Sequence, residues 1–272
     1  MAVFHQPALL QAACDYLDVQ PDKLYVDCTF GGGGHTAEIL RRGGKVLGID
    51  QDQDVLDPGW ENLTFVHANF THLTEILEKY FWSPVSGILV DLGVSQHQIQ
   101  EKERGFSFQQ SGPLDMRMDK SLPITAADFL SRLSIADLAK ILKDYGEVTH
   151  STVIARKILA ARPKTTQDLA QIFITPKVKR QVFQAIRIAV NDELGALQEV
   201  LPQAVESLLS GGRLVVISFH SLEDRIVKNF FRGQARGGLG NIITPKPVVP
   251  SAEEFQANPF SHSAKLRAFI KI

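Results

Sequence analysis

Val26-Asp27-Cys28-Thr29-Phe30-Gly31-Gly32-Gly33-Gly34-His35 joins an apolar run to a helical pattern through four consecutive glycines. Residues 24–30 read as a short strand. Residues 35–42 read as a helix that stops at Gly43-Gly44, a common C-terminal signal. Each glycine costs backbone entropy on folding, so four in a row exceed what a tight turn needs. Glycines at a strand-to-helix junction let a ligand approach the backbone, and the helix start offers it free N–H groups. Around this junction the same alternation continues. Residues 7–17 place Leu9, Leu10, Ala13, Tyr16 and Leu17 on one helical face. Residues 45–50 and 63–68 read as strands, 71–80 as a helix, and 87–92 as a strand apolar on both faces. Strands alternating with helices imply an α/β fold with a doubly wound, mostly parallel sheet.

From about residue 123 to 210 the pattern is helical throughout. Helices are expected at 126–133, 135–145, 152–161 and 166–172, the last capped by Thr165 or Thr166. A long helix at 181–209 is expected to break at Pro202. Strand character returns at 213–219, followed by a helix at 222–231, a glycine-rich loop at 233–240 and a short strand at 242–246. Residues 265–272 alternate and suit a last edge strand. The economical account is one α/β domain, residues 1–110 and 208–272, opened to hold an all-helical insertion at 111–207.

The chain has 272 residues, 44% hydrophobic and 22% charged, with a net charge of −1. This excludes a disordered chain. No run of about 18 apolar residues marks a membrane span, and no secretory signal is expected from the first residues. Cys14 and Cys28 are too few for a disulfide framework or a cysteine-based zinc site, and they fit a reducing cytosol. No histidine spacing suggests a metal centre. The near-neutral total hides a separation. Residues 1–80 carry 12 acidic and 5 basic side chains, whereas residues 151–190 carry eight basic ones against Asp168 alone. Segregation of this kind points to a polyanionic partner.

Asp50 ends the second strand, 23 residues after Asp27, where a carboxylate can accept from both ribose hydroxyls of a nucleoside. Gly32, Gly34 and Ala37 satisfy a dinucleotide fingerprint, so a nicotinamide-dependent oxidoreductase is a rival. Asp27 tips the choice. A carboxylate beside a pyrophosphate is repulsive, whereas beside S-adenosylmethionine, with its ammonium and cationic sulfur, it is helpful. Asp91, in Val90-Asp91-Leu92-Gly93-Val94-Ser95, adds a second acid at the end of the fourth strand.

Further blocks extend the pattern across the chain. They include His5-Gln6-Pro7-Ala8-Leu9-Leu10, Glu103-Arg104-Gly105-Phe106-Ser107-Phe108, Gly112-Pro113-Leu114-Asp115-Met116-Arg117-Met118-Asp119 and Phe183-Gln184-Ala185-Ile186-Arg187. Ile217-Ser218-Phe219-His220-Ser221-Leu222-Glu223-Asp224-Arg225 and Asn258-Pro259 complete them. In their order and spacing they resemble the small-subunit rRNA methyltransferase H family, S-adenosylmethionine-dependent enzymes that methylate the N4 amine of a cytidine in the decoding centre of 16S rRNA. The resemblance implies a Rossmann-like class I methyltransferase domain with a helical insertion, S-adenosyl-L-methionine as cofactor, and 16S rRNA or the small subunit as cytoplasmic partner. It places cofactor contacts on Gly33, Gly34, His35, Asp50, Phe70, Asp91 and Gln98. Two departures stand out. Lys177-Val178-Lys179-Arg180-Gln181 replaces the family's His-Pro-Ala-Thr-Arg lead, and the segments after Asp50 and Arg232 are short.

Cytosine's exocyclic amine is a poor nucleophile and needs acceptors that orient its N–H groups. Asp91 is the first candidate, with Asp115 and His220 as further ones. Phe106 or Phe108 would stack on an extruded base. Arg117, Lys179, Arg180, Arg187 and Arg225 would contact the RNA. Methylation of DNA or another substrate also stays open, as does a catalytically silent RNA-binding module.

Overall fold

The computed structural model describes residues 7–272, so His5 and Gln6 of the first motif lie outside the described residues. In chain order the first elements are α1 (Leu10–Leu17), β1 (Leu24–Asp27), α2 (Gly34–Arg41), β2 (Lys45–Asp50), β3 (Leu63–His67), α3 (Leu73–Tyr80) and β4 (Val85–Asp91). Six helices follow: α4 (Gln96–Gln100), α5 (Ala126–Arg132), α6 (Ile135–Gly146), α7 (Ser151–Ala161), α8 (Thr166–Gln171) and α9 (Pro176–Asn191). The chain ends with α10 (Glu193–Ser207), β5 (Leu208–Ser218), α11 (Ser221–Arg236), β6 (Gly240–Ile242), α12 (Ala252–Ala257) and β7 (Lys265–Lys271).

The described residues form a seven-stranded sheet in the order β3-β2-β1-β4-β5-β7-β6. The first five strands are parallel; β7 runs antiparallel to both β5 and β6. The chain winds outward from β1 to β3 and then returns to place β4 on the other side of β1. That reversal makes the carboxyl ends of β1 and β4 a topological switch point, where open α/β sheets bind ligands. Both sheet faces are covered. Leu47, Ile49, Ile88, Val90 and Val216 share a core with Leu73 and Leu77 of α3 and Leu197, Val200 and Leu201 of α10. Tyr25, Val46, Leu89, Val215 and Ile217 pack with Ala13 and Leu17 of α1 and Ile39 of α2. Burial on both faces explains the unbroken apolar runs of the central strands.

The structure corrects several expectations. Residues 265–271 are not an edge strand: β7 lies between β5 and β6. Leu266, Ala268 and Phe269 are buried on its two faces, and β6 takes the edge. The long helix breaks at Asp192, whose left-handed backbone (φ 47°) ends α9, while Pro202 stays inside α10. Burial of the apolar face of α10 outweighs the hydrogen bond that proline forfeits. The loop expected at 233–240 shrinks to residues 237–239, because α11 continues to Arg236 and β6 begins at Gly240. β5 starts at Leu208, five residues earlier than expected, through a register shift opposite Val85 and Gly87. Between β2 and β3 the described residues form no helix. Phe30 meets Phe65 edge-on at 5.1 Å and Trp60 at 6.2 Å, so an aromatic cluster covers the sheet there.

The chain forms two compact units, residues 1–93 with 195–272, and residues 94–194, against boundaries at 110/111 and 207/208 expected from the sequence. Residues 94–110 go with the helices because Phe106 and Phe108 pack on the core of that unit, beside Leu114, Leu138, Leu142 and Phe183. Residues 195–207 go with the sheet through Leu197, Val200, Leu201 and Ala204. In the helical unit, Thr125/Asp128 and Thr165/Asp168 form reciprocal capping boxes at the starts of α5 and α8. No helix among the described residues is long and apolar enough to cross a membrane.

Candidate active site

Asp27, Asp50 and Asp91 end β1, β2 and β4, so the parallel register brings three carboxylates to one edge of the sheet. Asp27 is fully buried. Its carboxylate accepts from the Thr36 hydroxyl (2.8 Å) and the Thr29 N–H (3.2 Å). Burial pushes its pKa up to about 6, against the pull of those hydrogen bonds. Asp50 accepts from Gly31 N–H (2.7 Å) and Asp52 N–H (2.8 Å), which ties the glycine loop to the end of β2. Its pKa is also raised by burial.

Asp91 is held differently. Its own N–H donates to the Thr29 hydroxyl (2.7 Å). Its carboxylate Oδ2 lies 3.7 Å from His35 Nδ1, and Oδ1 is buried without a hydrogen-bond partner. Burial, then the charges of Asp27 and Glu223, drive its pKa well above the ordinary carboxylate range.

The glycine loop has the shape a ligand needs. Gly33 caps α2 in the left-handed region (φ 74°), and no side chain caps the helix start. A Cβ at Gly33 would lie 2.9 Å from both Phe30 and Trp60, so no other residue fits there without displacing them. His35 is buried. Its Nε2–H donates to Ala8 O (3.3 Å), which leaves the Nδ1 lone pair facing Asp91. Desolvation lowers its pKa to about 4, so the ring is neutral at physiological pH. Beyond β3, Asn69 donates to the Gln51 side chain (2.9 Å) and accepts from Thr71 N–H (3.0 Å). This clamps together the loops after β2 and β3. Phe70 follows in a short 3-10 turn, half-buried against the sheet core.

At the end of β5, His220 caps α11. Its Nδ1 accepts from Glu223 N–H (3.3 Å), while Glu223 Oε2 accepts from the N–H groups of Phe219 (2.8 Å) and His220 (3.2 Å). Arg225 lies on the exposed side of the same helix.

The helical unit gives several expected site residues partners of their own. Gln98 is buried and closes a capping box with Ser95 (2.9 and 3.1 Å). Phe108 meets Phe183 edge-on at 5.4 Å, and Phe106 lies under the Arg104 guanidinium at 5.9 Å. Both Asp115 oxygens accept from Arg117 (2.7 and 2.8 Å), and the same guanidinium also donates to Lys120 O and Leu122 O. Arg187 forms a two-pronged pair with Glu193 (2.7 and 2.8 Å) at the end of α9. Asp115, Arg117 and Arg187 therefore brace this unit. Lys179 and Arg180 lie on α9, with Arg180 exposed.

Thr29 and Thr36 fix Asp27 and Asp91, and Asn69 joins the loops beside them, although nothing in the sequence pattern marks them out as the strand-end acids are marked. The hydroxyls flanking the glycines in Asp27-Cys28-Thr29 and His35-Thr36 are the one local signal of their role. The orphaned Asp91 oxygen, the buried acid Asp27 and the uncapped start of α2 suit a ligand with a cationic group and a carboxylate. Asp50 and the clamped loops beyond it suit an attached nucleoside.

Residues 2–272 match the family model described as the MraW methylase family. The chain is 44% identical to the ribosomal RNA small subunit methyltransferase H of Heliobacterium modesticaldum, over all of both chains. It is 42% identical to that of Symbiobacterium thermophilum, over all of this chain and 98% of the relative. With that of Bacteroides fragilis it shares 45% identity over 97% of this chain and 96% of the relative. The alignment with the Symbiobacterium protein runs over 311 positions against 272 residues here, so the relative carries segments this chain lacks. The chain belongs to the MraW methylase family.

Proposed function

We propose that the chain transfers a methyl group from S-adenosyl-L-methionine to the exocyclic N4 amine of a cytidine in the decoding centre of 16S rRNA, in the cytoplasm where small subunits are assembled. The observation that carries this is the buried, unpartnered Asp91 oxygen beside Asp27 at the ligand edge of a methylase-family sheet. When bound, the cofactor supplies an electrophilic methyl on a cationic sulfur. Asp50 would accept from the ribose hydroxyls, and Phe70 would pack against the adenine. The N–H groups at Gly34 and His35 would receive the carboxylate. Asp27 and Asp91 hold negative potential towards the cationic end.

Asp91 orients the amine and receives its proton. The cofactor would supply the methyl carbon to N4, with the methyl–sulfur electron pair left on sulfur, and the Asp91 carboxylate would take the N4 proton. This balance suits Asp91. Its carboxylate is stabilised while a cation is beside it, and its raised pKa favours the protonated form once that charge has gone. Lys179, Arg180 and Arg225 supply phosphate contacts. Transfer of radiolabelled methyl groups to small subunits, free 16S rRNA and DNA, followed by nucleoside analysis, tests the proposal. N4-methylated cytidine from rRNA is expected; another nucleoside, or label on DNA alone, overturns it.

A further inference from the structure

Buried polar atoms rarely lack hydrogen-bond partners, and one that does is placed to meet a ligand. Among the described residues, two such side-chain atoms belong to the sheet unit: Asp91 Oδ1 and His220 Nε2. They lie on neighbouring strands. β4 and β5 run parallel with Asp91 opposite Ile217, and His220 follows three residues later. A Cβ on Gly93 would lie 3.6 Å from Phe219, and the Glu223 charge acts on Asp91, so the two strand ends are close.

His220 is built as a fixed donor. Its side chain is 10% exposed. Because Nδ1 accepts from the Glu223 N–H, the neutral ring carries its proton on Nε2. Glu223 Oε1 lies 3.2 Å from Nε2, outside hydrogen-bonding geometry, so that N–H stays unbonded.

We propose that His220 reads the base edge, its Nε2–H donating to N3 of the target cytosine while Asp91 Oδ1 accepts from N4. An acceptor ring nitrogen beside a donor amine is the pattern of cytosine. Uracil presents the reverse, a ring N–H beside a carbonyl, so both protein atoms would face like groups. Adenine carries the same two-atom pattern as cytosine, so the pair rejects uracil and leaves exclusion of purines to size. His220 is thus a specificity residue for the reaction proposed above, on which this inference rests.

The test uses 16S rRNA, in whichever form the wild type methylates, carrying cytidine or 3-deazacytidine at the target. The deaza base keeps the amine and lacks the N3 acceptor. The wild type is expected to lose roughly 10- to 100-fold in kcat/KM on 3-deazacytidine, the effect of leaving a buried donor unpaired. His220→Asn keeps a capping side chain and lacks the Nε2–H. It is expected to lose a similar factor on cytidine and nothing further on 3-deazacytidine, with S-adenosylhomocysteine affinity and Tm unchanged. Equal wild-type rates on the two bases, or undiminished discrimination in His220→Asn, overturns the inference. A wild type that leaves cytidine unmethylated overturns the proposed function instead.

Discussion

Asp27 and Asp91 are acids held against their own charge, and this makes cofactor binding depend on pH. Asp27 is pushed up to about 6 and Asp91 lies well above the carboxylate range, both mainly through burial. Below those values the carboxyls are neutral and a cationic ligand gains little from them. As pH rises through them they ionise, and a bound cation favours that ionisation. Affinity for S-adenosylmethionine is therefore expected to rise as pH climbs through about 6 and above, with protons released on binding. S-adenosylhomocysteine keeps the ammonium but lacks the sulfonium charge, so its profile should be shallower, and Asp91→Asn should flatten the difference. Titration calorimetry in buffers of different ionisation enthalpy measures this. Equal slopes for the two ligands would remove the sulfonium from the neighbourhood of Asp91. Asp27, Asp50 and Asp91 were legible in the sequence because strand ends in an open parallel sheet have a fixed destination. Thr29, Thr36 and Asn69 were not, because a hydroxyl or amide takes its role from a partner that only the folded chain supplies.

The β1–α2–β2 segment was readable because its apolar runs and glycines are local signals. What failed was set by neighbours. That β7 is flanked on both sides depends on β6, a three-residue strand that lies at Gly240–Ile242 rather than at the expected 242–246 and whose pairing partner no local pattern reveals. Helix α11 passes through Gly233 because Val227 and Phe231 bury its inner face, which outweighs the roughly 1 kcal/mol cost of one glycine. Pro202 is tolerated in α10 on the same terms. The segment between β2 and β3 makes the point in reverse, since it is short, forms no helix, and Trp60 does the covering. Trp60 is 39% exposed and lies against Phe30 and the underside of Gly33. Trp60→Ala is expected to cost about 2 kcal/mol in urea unfolding, from the apolar area it buries. It should also weaken cofactor binding by loosening the glycine loop. An unchanged midpoint would mean that the loop covers nothing of consequence.

A net charge of −1 averages an acidic first third and a strongly basic stretch in the helical unit. Net positive charge is not the same as charge available to a polyanion, and the structure sorts the two. Arg187 is bound to Glu193 and Arg117 to Asp115, so these cations are largely neutralised and stiffen the unit. Lys179 and Arg180 lie near the start of α9. They are the residues of that helix proposed above to contact phosphates. Replacing both by Glu should weaken rRNA binding across sequences. It should also reduce the slope of log affinity against log salt by about 0.7 to 0.9 for each phosphate that is no longer neutralised. S-adenosylhomocysteine affinity should stay constant, because neither residue is among its proposed contacts. Arg187→Ala should instead lower Tm by leaving the largely buried Glu193 carboxylate without its partner, with little change in the salt slope per folded molecule. Filter binding over a range of potassium chloride concentrations, run beside thermal unfolding, separates the two kinds of cation. A double variant that retains the wild-type slope would move the RNA contacts off α9.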